Sequence, residues 1–385
     1  MPDPRVIFEH GPIPGGTAFR SLRRIIRADD AGEVPAALAA LQDAHDSGHW
    51  LAGYAGYELG YLFSDKLHDL LPTRRDMPLL LFGVFDAPEP AAPTPEEGEK
   101  ASLGRFRPDW DSDSYGAAFA RVQDYIAAGD IYQANLTFPM RTTRSGSIDS
   151  LWQQLRERQA APHGALVDLG GPVVLSRSPE LFFSVNRQGR LAAQPMKGTI
   201  ARGATPETDA ANIRWLHESA KNRAENLMIV DLLRNDMSRI AEIGTVRVPA
   251  LFTVETYATL HQMTSRITAQ LARGITLAQI FEALFPCGSI TGAPKIRSMQ
   301  ILAELEPAAR DVYCGAIGWI APDGSMSFSV AIRTLICGPG NLVRVNVGGG
   351  VIHDSDAGSE YAEALLKARF ADLSGQGDTP APPAG

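Results

Sequence analysis

The sequence predicts a globular protein of the mixed α+β class. Of its 385 residues 44% are hydrophobic, enough to bury a large core in two domains or in one large unit. Several glycine-bearing runs are rich in β-branched and aromatic residues, which is typical of strands. Other segments carry apolar residues at helical spacing behind a capping residue, so helices are interspersed among the strands.

The first 86 residues are predicted to contain one helix and several strands. Residues 31–44 follow Asp29 and Asp30, which can cap a helix, and repeat apolar residues at helical spacing. Residues 49–63 interleave three glycines with aromatic side chains and are predicted to be a pair of strands. Residues 79–85 are predicted to be a further buried strand.

Composition divides the chain into four parts. Residues 87–104 are rich in proline, alanine and glutamate and indicate a linker, while the similar residues 374–385 are expected to be a disordered tail. Residues 105–373 carry the remaining predicted elements. Residues 1–86 are expected to pack on the same fold, because an early segment can supply strands to a sheet that is completed later.

Charge and cysteine content exclude several classes of function. The net charge is −8 and no run of lysine or arginine occurs, so we expect no nucleic-acid partner. No stretch of about 18 apolar residues and no signal-peptide pattern occur, which predicts a cytoplasmic protein without a membrane partner. Cys287, Cys314 and Cys337 are odd in number and widely spaced, which predicts inert core thiols.

After the linker, residues 113–128 are predicted to be a helix and residues 131–138 a strand. The strand alternates apolar with polar residues, so Gln133, Asn135 and Thr137 share one face. That face points either at solvent, which is the usual case, or into a polar cavity.

Two candidate catalytic side chains lie around a predicted hairpin. Strands are predicted at 165–168, 173–175, 181–185 and 191–194. Glu180 lies at the mouth of an apolar strand, where burial disfavours the ionised carboxylate and so favours a proton donor. The hairpin brings Glu180 towards Lys197, which lies in a short, kinked segment. Taken singly, Lys197 is more simply a surface charge, and Glu180 could equally be a surface turn residue.

Two predicted helices each present carboxylates on one face. Asn222 and Glu225 are three apart in residues 205–234, and Glu360 and Glu363 are three apart in residues 359–370. A pair of such faces suits Mg²⁺, which takes a few carboxylates together with water and substrate oxygens. Without further context, solvated helix charges are the simpler interpretation.

The last predicted elements offer groups that bind anions. Residues 286–295 are rich in small and hydroxyl residues and open a helix at 296–305, so their amides and Lys295 suit a carboxylate. Their spacing is not that of a nucleotide-binding loop. Strands are predicted at 313–320, 326–335 and 342–347, the last followed by Gly348–Gly350. Arg333, inside an apolar run, must meet a protein or substrate anion.

Taken together, these segments resemble the chorismate-utilising enzyme family. The matching motifs are GDIYQANLT (129–137), SRSPELFF (176–183), PMKGT (195–199), KNRAENLMIVDLLRND (221–236), GSITGAPK (288–295), YCGAIG (313–318), AIRT (331–334) and GGGVIHDSDAGSEYAEA (348–364). The resemblance implies a four-layer α/β/β/α sandwich of two large antiparallel sheets flanked by helices, with the active site between the sheets and residues 105–373 as the chorismate-binding catalytic domain.

Two positions favour one branch of the family. The family's anthranilate-forming members carry alanine where this chain has Lys197, and its isochorismate-forming members carry a water-activating lysine where it has Gln133. The resemblance therefore implies amination of chorismate to 4-amino-4-deoxychorismate, a step towards p-aminobenzoate and folate. Anthranilate synthesis and a non-catalytic chorismate-binding regulatory subunit remain the alternatives.

The resemblance also implies roles for individual residues. Lys197 would attack the chorismate ring at C2, and Glu180 would protonate the departing C4 hydroxyl. Mg²⁺ would hold the ring carboxylate through Glu225 and Glu363, with Glu360 and Asn222 acting through water. The remaining substrate-binding residues implied are Arg333, Tyr313, Gly348, Gly349, Gly350, Thr199, His261, Lys295 and Gln133.

The ammonia for this reaction is expected from a partner. The sequence shows no nucleophilic cysteine elbow of the glutaminase type with a catalytic histidine. A separate glutamine amidotransferase subunit is therefore predicted, and the chain is expected to use free ammonium when it is abundant.

Overall fold

The computed structural model describes residues 3–91, 100–257 and 260–373, and within them the chain forms 21 strands and eight α-helices. The strands are β1 (Arg5–Phe8), β2 (Thr17–Phe19), β3 (Leu22–Ala28), β4 (Trp50–Ala55), β5 (Leu80–Phe85), β6 (Glu89–Pro90), β7 (Ser102–Leu103), β8 (Arg107–Pro108), β9 (Gln133–Ser145), β10 (His163–Asp168), β11 (Val173–Ser178), β12 (Leu181–Val185), β13 (Arg190–Ala193), β14 (Met196–Ala201), β15 (Arg247–Thr256), β16 (Leu260–Gln270), β17 (Gly292–Ala293), β18 (Ala316–Ile320), β19 (Met326–Val330), β20 (Thr334–Cys337) and β21 (Leu342–Val351).

The helices are α1 (Val34–Asp46), α2 (Ser112–Ala127), α3 (Ile148–Arg158), α4 (Pro206–Glu218), α5 (Ala220–Ser238), α6 (Leu277–Leu284), α7 (Lys295–Leu305) and α8 (Ala357–Lys367). Within the described residues, no helix combines the length and the apolar composition needed to cross a membrane.

The strands form two large antiparallel sheets. The first has 11 strands in the order β17-β9-β21-β20-β11-β10-β1-β2-β6, with β7 and β8 also paired to β9. The second has 10 strands in the order β14-β16-β13-β12-β19-β18-β4-β5-β3, with β15 also paired to β16. Residues 5–85 therefore supply strands to both sheets.

Three apolar cores show how the sheets and helices are layered. One joins α2, α3 and α8 to the first sheet, and a second joins α1, α5 and α6 to the second sheet. The third lies between the sheets, where Phe8 and Val174 of the first sheet belong to one cluster with Tyr54 and Phe85 of the second. The predicted α/β/β/α sandwich is thus confirmed.

The polar face of β9 lies in the interior. Ala134, Leu136 and Phe138 belong to the core that faces the helices, so the intervening residues point between the sheets. Those residues, including Gln133 and Asn135, are buried. Of the two orientations that the sequence leaves open, the interior one is therefore correct.

Three predicted elements differ in the structure. Within the predicted strand pair, β4 is followed by a 3₁₀ helix at Tyr57–Phe63, where a Cβ on Gly60 would lie 2.4 Å from Cδ of Pro286. The long predicted helix is two helices, separated by Ser219, whose hydroxyl caps α5. The predicted strand at 326–335 is β19 of the second sheet followed by β20 of the first.

Candidate active site

A cavity of about 660 Å³ lies where strands of both sheets meet α5 and α8. This volume lies in the range of small-molecule sites, about 300–1,000 Å³. Most of the predicted site residues line it, namely Glu180, Lys197, Thr199, Asn222, Glu225, Tyr313, Arg333, Gly348, Gly349, Gly350, Glu360 and Glu363. The fold therefore brings together side chains that are scattered over residues 180–363.

Glu180 has the environment of a proton donor. It follows β11, and its backbone N–H donates to the Ser178 hydroxyl at 3.2 Å while its carbonyl accepts from Val330 N at 3.1 Å. The residue is 6% exposed, and Oε1 has no hydrogen-bond partner among the described residues. Burial raises the pKa of Glu180 to about 7, although the Ser289 hydroxyl and the charge of Lys197 both act to lower it.

Lys197 reaches the cavity from an irregular edge strand. The register of β14 against β16 shifts between Met196 and Thr199, and Gly198 has a φ of +80°. A Cβ on Gly198 would lie 2.9 Å from Cγ of Asn222, so glycine allows the strand to pass α5 closely. Within the described part of the chain, the Lys197 amine has no carboxylate partner in an ion pair.

Arg333 presents a half-buried cation to the same cavity. It lies where the chain passes from β19 in one sheet to β20 in the other, with a φ of +50°. Desolvation lowers the pKa of its guanidinium, and no described residue forms an ion pair or side-chain hydrogen bond with it. Because the structure supplies no protein carboxylate, Arg333 is available to a carboxylate of a ligand.

The glycines at the end of β21 allow side chains to converge. A Cβ on Gly350 would lie 2.7 Å from Nε2 of Gln133 and 3.5 Å from Nζ of Lys197. A Cβ on Gly349 would lie 3.1 Å from Oε2 of Glu360. Larger residues at these positions would therefore displace the groups that the cavity collects.

Three carboxylates from α5 and α8, those of Glu225, Glu360 and Glu363, also line the cavity, together with Lys221 and Lys367. Glu363 forms an ion pair with Lys367 at 2.9 Å, and Lys367 also donates to the Gly348 carbonyl at 2.9 Å. Burial acts to raise the pKa of Glu363, but the neighbouring lysines outweigh it and the pKa is lowered. Burial raises the pKa of Glu360, against a hydrogen bond from Ser355.

These carboxylates offer the oxygen ligands that a hard cation prefers, but they do not form a complete metal-binding site by themselves. Within the described residues, no three His, Cys, Asp or Glu side chains lie close enough to hold a metal ion by themselves. Glu225 on α5 and Glu363 on α8 nevertheless line the same cavity. Two carboxylates with water and substrate oxygens suit Mg²⁺, so the donor set fits this ion.

Three of the predicted substrate-binding residues are not among those that line the cavity, namely His261, Lys295 and Gln133. His261 is fully buried, with Nδ1 2.9 Å from Oγ1 of Thr256 and Nε2 2.8 Å from Oδ1 of Asp209, and it is not among the cavity residues. Lys295 donates to Oδ2 of Asp236 at 2.6 Å, so its charge is paired within the protein. Both side chains hold elements together and do not face the cavity.

Gln133 and Thr199 differ in how exposed they are. Gln133 lies behind Gly350, is 1% exposed, and has no hydrogen-bond partner for either amide atom among the described residues. Thr199 is exposed at the cavity wall, and its hydroxyl donates to Oε1 of Gln262 at 2.8 Å. The aromatic ring of Tyr313 is buried, and burial raises the pKa of its hydroxyl well above the ordinary value.

The sequence did not single out several cavity residues. These are Lys221, Gln262, Ser289, Asn346 and Lys367. The i+4 spacing of Lys367 from Glu363 was a readable signal for an ion pair on one helix face. The three cysteines are free and buried, as predicted, and burial raises the pKa of each thiol to about 12.

Comparisons with known proteins show the family to which the chain belongs. The family model described as chorismate binding enzyme matches residues 18–372. Aminodeoxychorismate synthase component 1 of Klebsiella aerogenes is 44% identical over 262 residues, which cover 68% of this chain and 58% of that protein. Anthranilate synthase component 1 of Cereibacter sphaeroides is 38% identical over 274 residues, covering 71% of this chain and 54% of that protein. The chain thus spans little more than half the length of these two relatives.

A solved structure supports the fold alone. The crystal structure of anthranilate synthase component I from Streptococcus pneumoniae matches with a TM-score of 0.81 at 24% identity. The match covers 96% of this chain and 93% of that one. The two sheets and their helical layers are therefore an architecture that this anthranilate synthase component I also has.

Proposed function

Because this chain belongs to the chorismate-binding enzyme family, whose model matches residues 18–372, we propose that it aminates chorismate to 4-amino-4-deoxychorismate. The observation that carries the proposal is a single cavity lined by Glu180, Lys197 and Arg333, that is, a buried acid, an amine and an arginine without a protein anion. The higher identity to an aminodeoxychorismate synthase than to an anthranilate synthase, 44% against 38%, supports this branch.

Chorismate carries two carboxylates, and the cavity offers a separate place for each. Arg333 supplies an unpaired guanidinium for the enolpyruvyl carboxylate, with the Tyr313 hydroxyl and the backbone of Gly348–Gly350 beside it. The ring carboxylate then lies towards Glu225 and Glu363. In this pose the ring faces Lys197 and Glu180.

The proposed reaction has two displacements. The neutral amine of Lys197 forms a bond to C2 of the ring, both ring double bonds shift towards C4, and the C4–O bond breaks as Glu180 gives its proton to the departing hydroxyl, which leaves as water. Ammonia then forms a bond to C4, both double bonds shift back, and the bond between C2 and Lys197 breaks. The proton released by the added ammonia returns to the Glu180 carboxylate, so both side chains are restored.

Magnesium belongs to this proposal because α5 and α8 present suitable donors to the cavity. Glu225 and Glu363 would hold the ion directly, with Glu360 and Asn222 beside them. When bound, the ion supplies positive charge at the ring carboxylate of chorismate. Lys367 contacts Oε1 of Glu363 at 2.9 Å, so its ammonium would compete with the ion for that oxygen.

A magnesium titration tests this donor set without relying on turnover. Glu363→Gln should weaken Mg²⁺ binding measured by calorimetry at least about tenfold, because a charged ligand is lost. Glu304→Gln is the matched control, since Glu304 is an exposed glutamate that pairs with Arg121. Equal Mg²⁺ affinity in the two variants would contradict the assignment.

The ammonia source and the location of the protein complete the proposal. The name component 1 of the Klebsiella aerogenes relative supports a partner subunit, which we propose to be a glutamine amidotransferase. All three cysteines are buried free thiols, so none is placed as an accessible glutaminase nucleophile. We propose that the protein is a cytoplasmic enzyme of the p-aminobenzoate and folate pathway. Turnover with ammonium salts alone tests whether this chain can work without the amidotransferase subunit.

Lys197→Ala is the decisive test of the mechanism. With chorismate, Mg²⁺ and ammonium, the rate should fall on the order of 10²–10⁴-fold, the range for loss of a positioned catalytic group. A covalent adduct detected by intact-protein mass should vanish as well. Lys197→Arg keeps the positive charge but not a nucleophilic amine, so it should fail equally; retained activity in Lys197→Arg would refute nucleophilic catalysis.

Product analysis distinguishes the rival functions. The proposal requires a product with the mass of chorismate in which an amino group replaces a hydroxyl. Fluorescent anthranilate formed without any added lyase would establish anthranilate synthesis instead. Chorismate binding without turnover at every ammonium concentration would indicate a regulatory subunit.

A further inference from the structure

The strand that carries Lys197 contains a β-bulge at that residue. The strand pairs that flank the bulge are Met196 with Thr264 and Thr199 with Gln262. Lys197 and Gly198 therefore lie together opposite the single residue Met263 of β16. An extra residue of this kind bends its strand and redirects a side chain, and such bulges are frequent beside active sites. The bulge is thus the local feature that decides where the Lys197 side chain points.

The side chain of Gln262 binds the bulged segment from the neighbouring strand. Its Nε2 donates to the Gly198 carbonyl at 2.8 Å, and its Oε1 accepts from the Thr199 hydroxyl at 2.8 Å. A carbonyl oxygen can only accept a hydrogen bond, so the amide nitrogen must face Gly198 and the orientation of the amide is determined. One side chain therefore holds two consecutive residues that directly follow Lys197.

Helix packing also restricts the bulge. Gly198 has a φ of +80°, and a Cβ there would lie 2.9 Å from Cγ of Asn222 and 3.0 Å from Cδ1 of Leu216. Glycine thus lets the strand pass close to α4 and α5. Together with the hydrogen bonds from Gln262, this contact leaves the backbone beside Lys197 little freedom to shift.

The position of the Lys197 amine depends on that backbone. Among the described residues, the lysines that form ion pairs are Lys295 and Lys367, and Lys197 is not one of them. Its amine is therefore not held in place by a protein carboxylate. A reactive group is placed precisely only when the residues that support it are themselves fixed. Here the support comes from the bulge and from Gln262, which lines the same cavity as Lys197.

We propose that Gln262 is a positioning residue for the amination, because it fixes the bulge from which Lys197 reaches the cavity. Gln262 acts through Lys197 in this scheme and takes no part in the bonds that form and break. The inference rests on the proposed function in that Lys197 is the nucleophile there. The hydrogen bonds that fix the bulge are a property of the ligand-free protein.

Amide hydrogen exchange of the ligand-free protein tests whether Gln262 fixes the bulge. Gln262→Met removes both hydrogen bonds and keeps a side chain of similar length. Exchange in peptides that cover residues 196–201, measured by mass, should become about two- to tenfold faster, because the local opening of this segment becomes easier. Thr199→Val removes only the hydroxyl that donates to Gln262, so it should give a smaller change in the same direction.

Gln270→Met is the matched control. Gln270 lies on the same strand, is also half-buried, and its Nε2 donates to the Gln188 carbonyl at 2.8 Å. The replacement therefore also removes a hydrogen bond from a glutamine amide to a backbone carbonyl, but at a distance from the bulge. Exchange in residues 196–201 should equal that of the wild type.

Steady-state kinetics test whether the bulge positions Lys197 for the reaction. With saturating ammonium and Mg²⁺, kcat of Gln262→Met should fall about 10- to 100-fold, the range for a small misplacement of a reacting group. The KM for chorismate should change less than about twofold, because no contact with the substrate is lost. Gln270→Met should keep both parameters.

The outcomes separate this inference from the proposed function. A raised KM with unchanged kcat in Gln262→Met would make Gln262 a substrate contact and overturn the positioning role. Unchanged exchange in residues 196–201 would overturn it as well, even if the wild type aminates chorismate. If the wild type forms no aminated product, the proposed function fails, and the exchange experiment alone then decides whether Gln262 fixes the bulge.

Discussion

Replacing Arg333 by glutamine should weaken substrate binding while leaving the protein as stable as before. The guanidinium lies half-buried at the cavity, its pKa is lowered by desolvation, and no described carboxylate is paired with it. Substrate therefore loses a charged partner in Arg333→Gln, whereas the folded protein loses none. The glutamine side chain keeps a similar length and the same backbone position.

The size of the effect follows from the value of one charge-assisted contact. A hydrogen bond to a charged group contributes about 1.5–3 kcal/mol, and about 1.4 kcal/mol corresponds to a factor of ten. The KM for chorismate, measured with saturating ammonium and Mg²⁺, should therefore rise about 10- to 150-fold. Urea unfolding of the free protein should give an unchanged or slightly higher free energy of unfolding, because a desolvated cation has been removed.

Arg344→Gln provides the contrasting control. Arg344 pairs with Asp76 at 2.9 Å and with the buried Asp311, so its removal leaves a buried carboxylate without its partner. The free energy of unfolding should fall by about 3–5 kcal/mol, the cost of breaking a buried pair. If Arg333→Gln lost stability in the same way and kept its KM, Arg333 would be a structural arginine and the proposed anion site would be refuted.

Two further predictions concern Glu180 and the glycines of β21. Burial raises the pKa of Glu180 from 4.5 to about 7, so the folded protein binds this proton more tightly than the unfolded chain does. The protonated Glu180 therefore contributes its full stability below pH 4.5, and this contribution is lost as the pH rises to 7. In Glu180→Gln, the free energy of unfolding measured with urea should decline less between pH 4.5 and 7, and turnover should no longer fall above pH 7. If turnover depended on pH as in the wild type, Glu180 would not be the proton donor. Gly350→Ala should lower turnover with a smaller loss of stability than Gly348→Ala, because the atom nearest its Cβ, at 2.7 Å, is Nε2 at the end of the Gln133 side chain, which lies close to Lys197. Gly348→Ala should lower the melting temperature, because its Cβ would lie 2.2 Å from the Leu136 carbonyl oxygen, and equal melting curves for the two variants would contradict this distinction.

Sequence patterns identified the site residues whose position depends only on the strand or helix that carries them. Glu180 at a strand mouth, Asn222 with Glu225 on α5, and Glu360 with Glu363 on α8 follow from local periodicity and spacing, and all of them line the cavity. Periodicity cannot identify a distant partner. His261 and Lys295 were placed at the site by resemblance, yet Asp209 and Asp236 bind them elsewhere.

Periodicity also could not predict that residues 326–335 pass from one sheet to the other. Residues 326–335 form an apolar run that fits a strand of either sheet, and only tertiary packing decides that the run is split between two. That split is what places Arg333 at the cavity with a positive φ. The polar face of β9 illustrates the same limit, because alternation gives the face but not what lies opposite it.

The interleaved strand order has a consequence for how the protein acquires activity. Arg5 pairs with Asp168, and Ala55 pairs with Ala316, so both sheets are completed by contacts between remote parts of the chain. Such topologies fold slowly, since the entropy of closing long loops must be lost before these contacts form. In a refolding experiment, helix signal should therefore return before chorismate-dependent turnover, and excess chorismate should raise the stability of the whole domain by mass action.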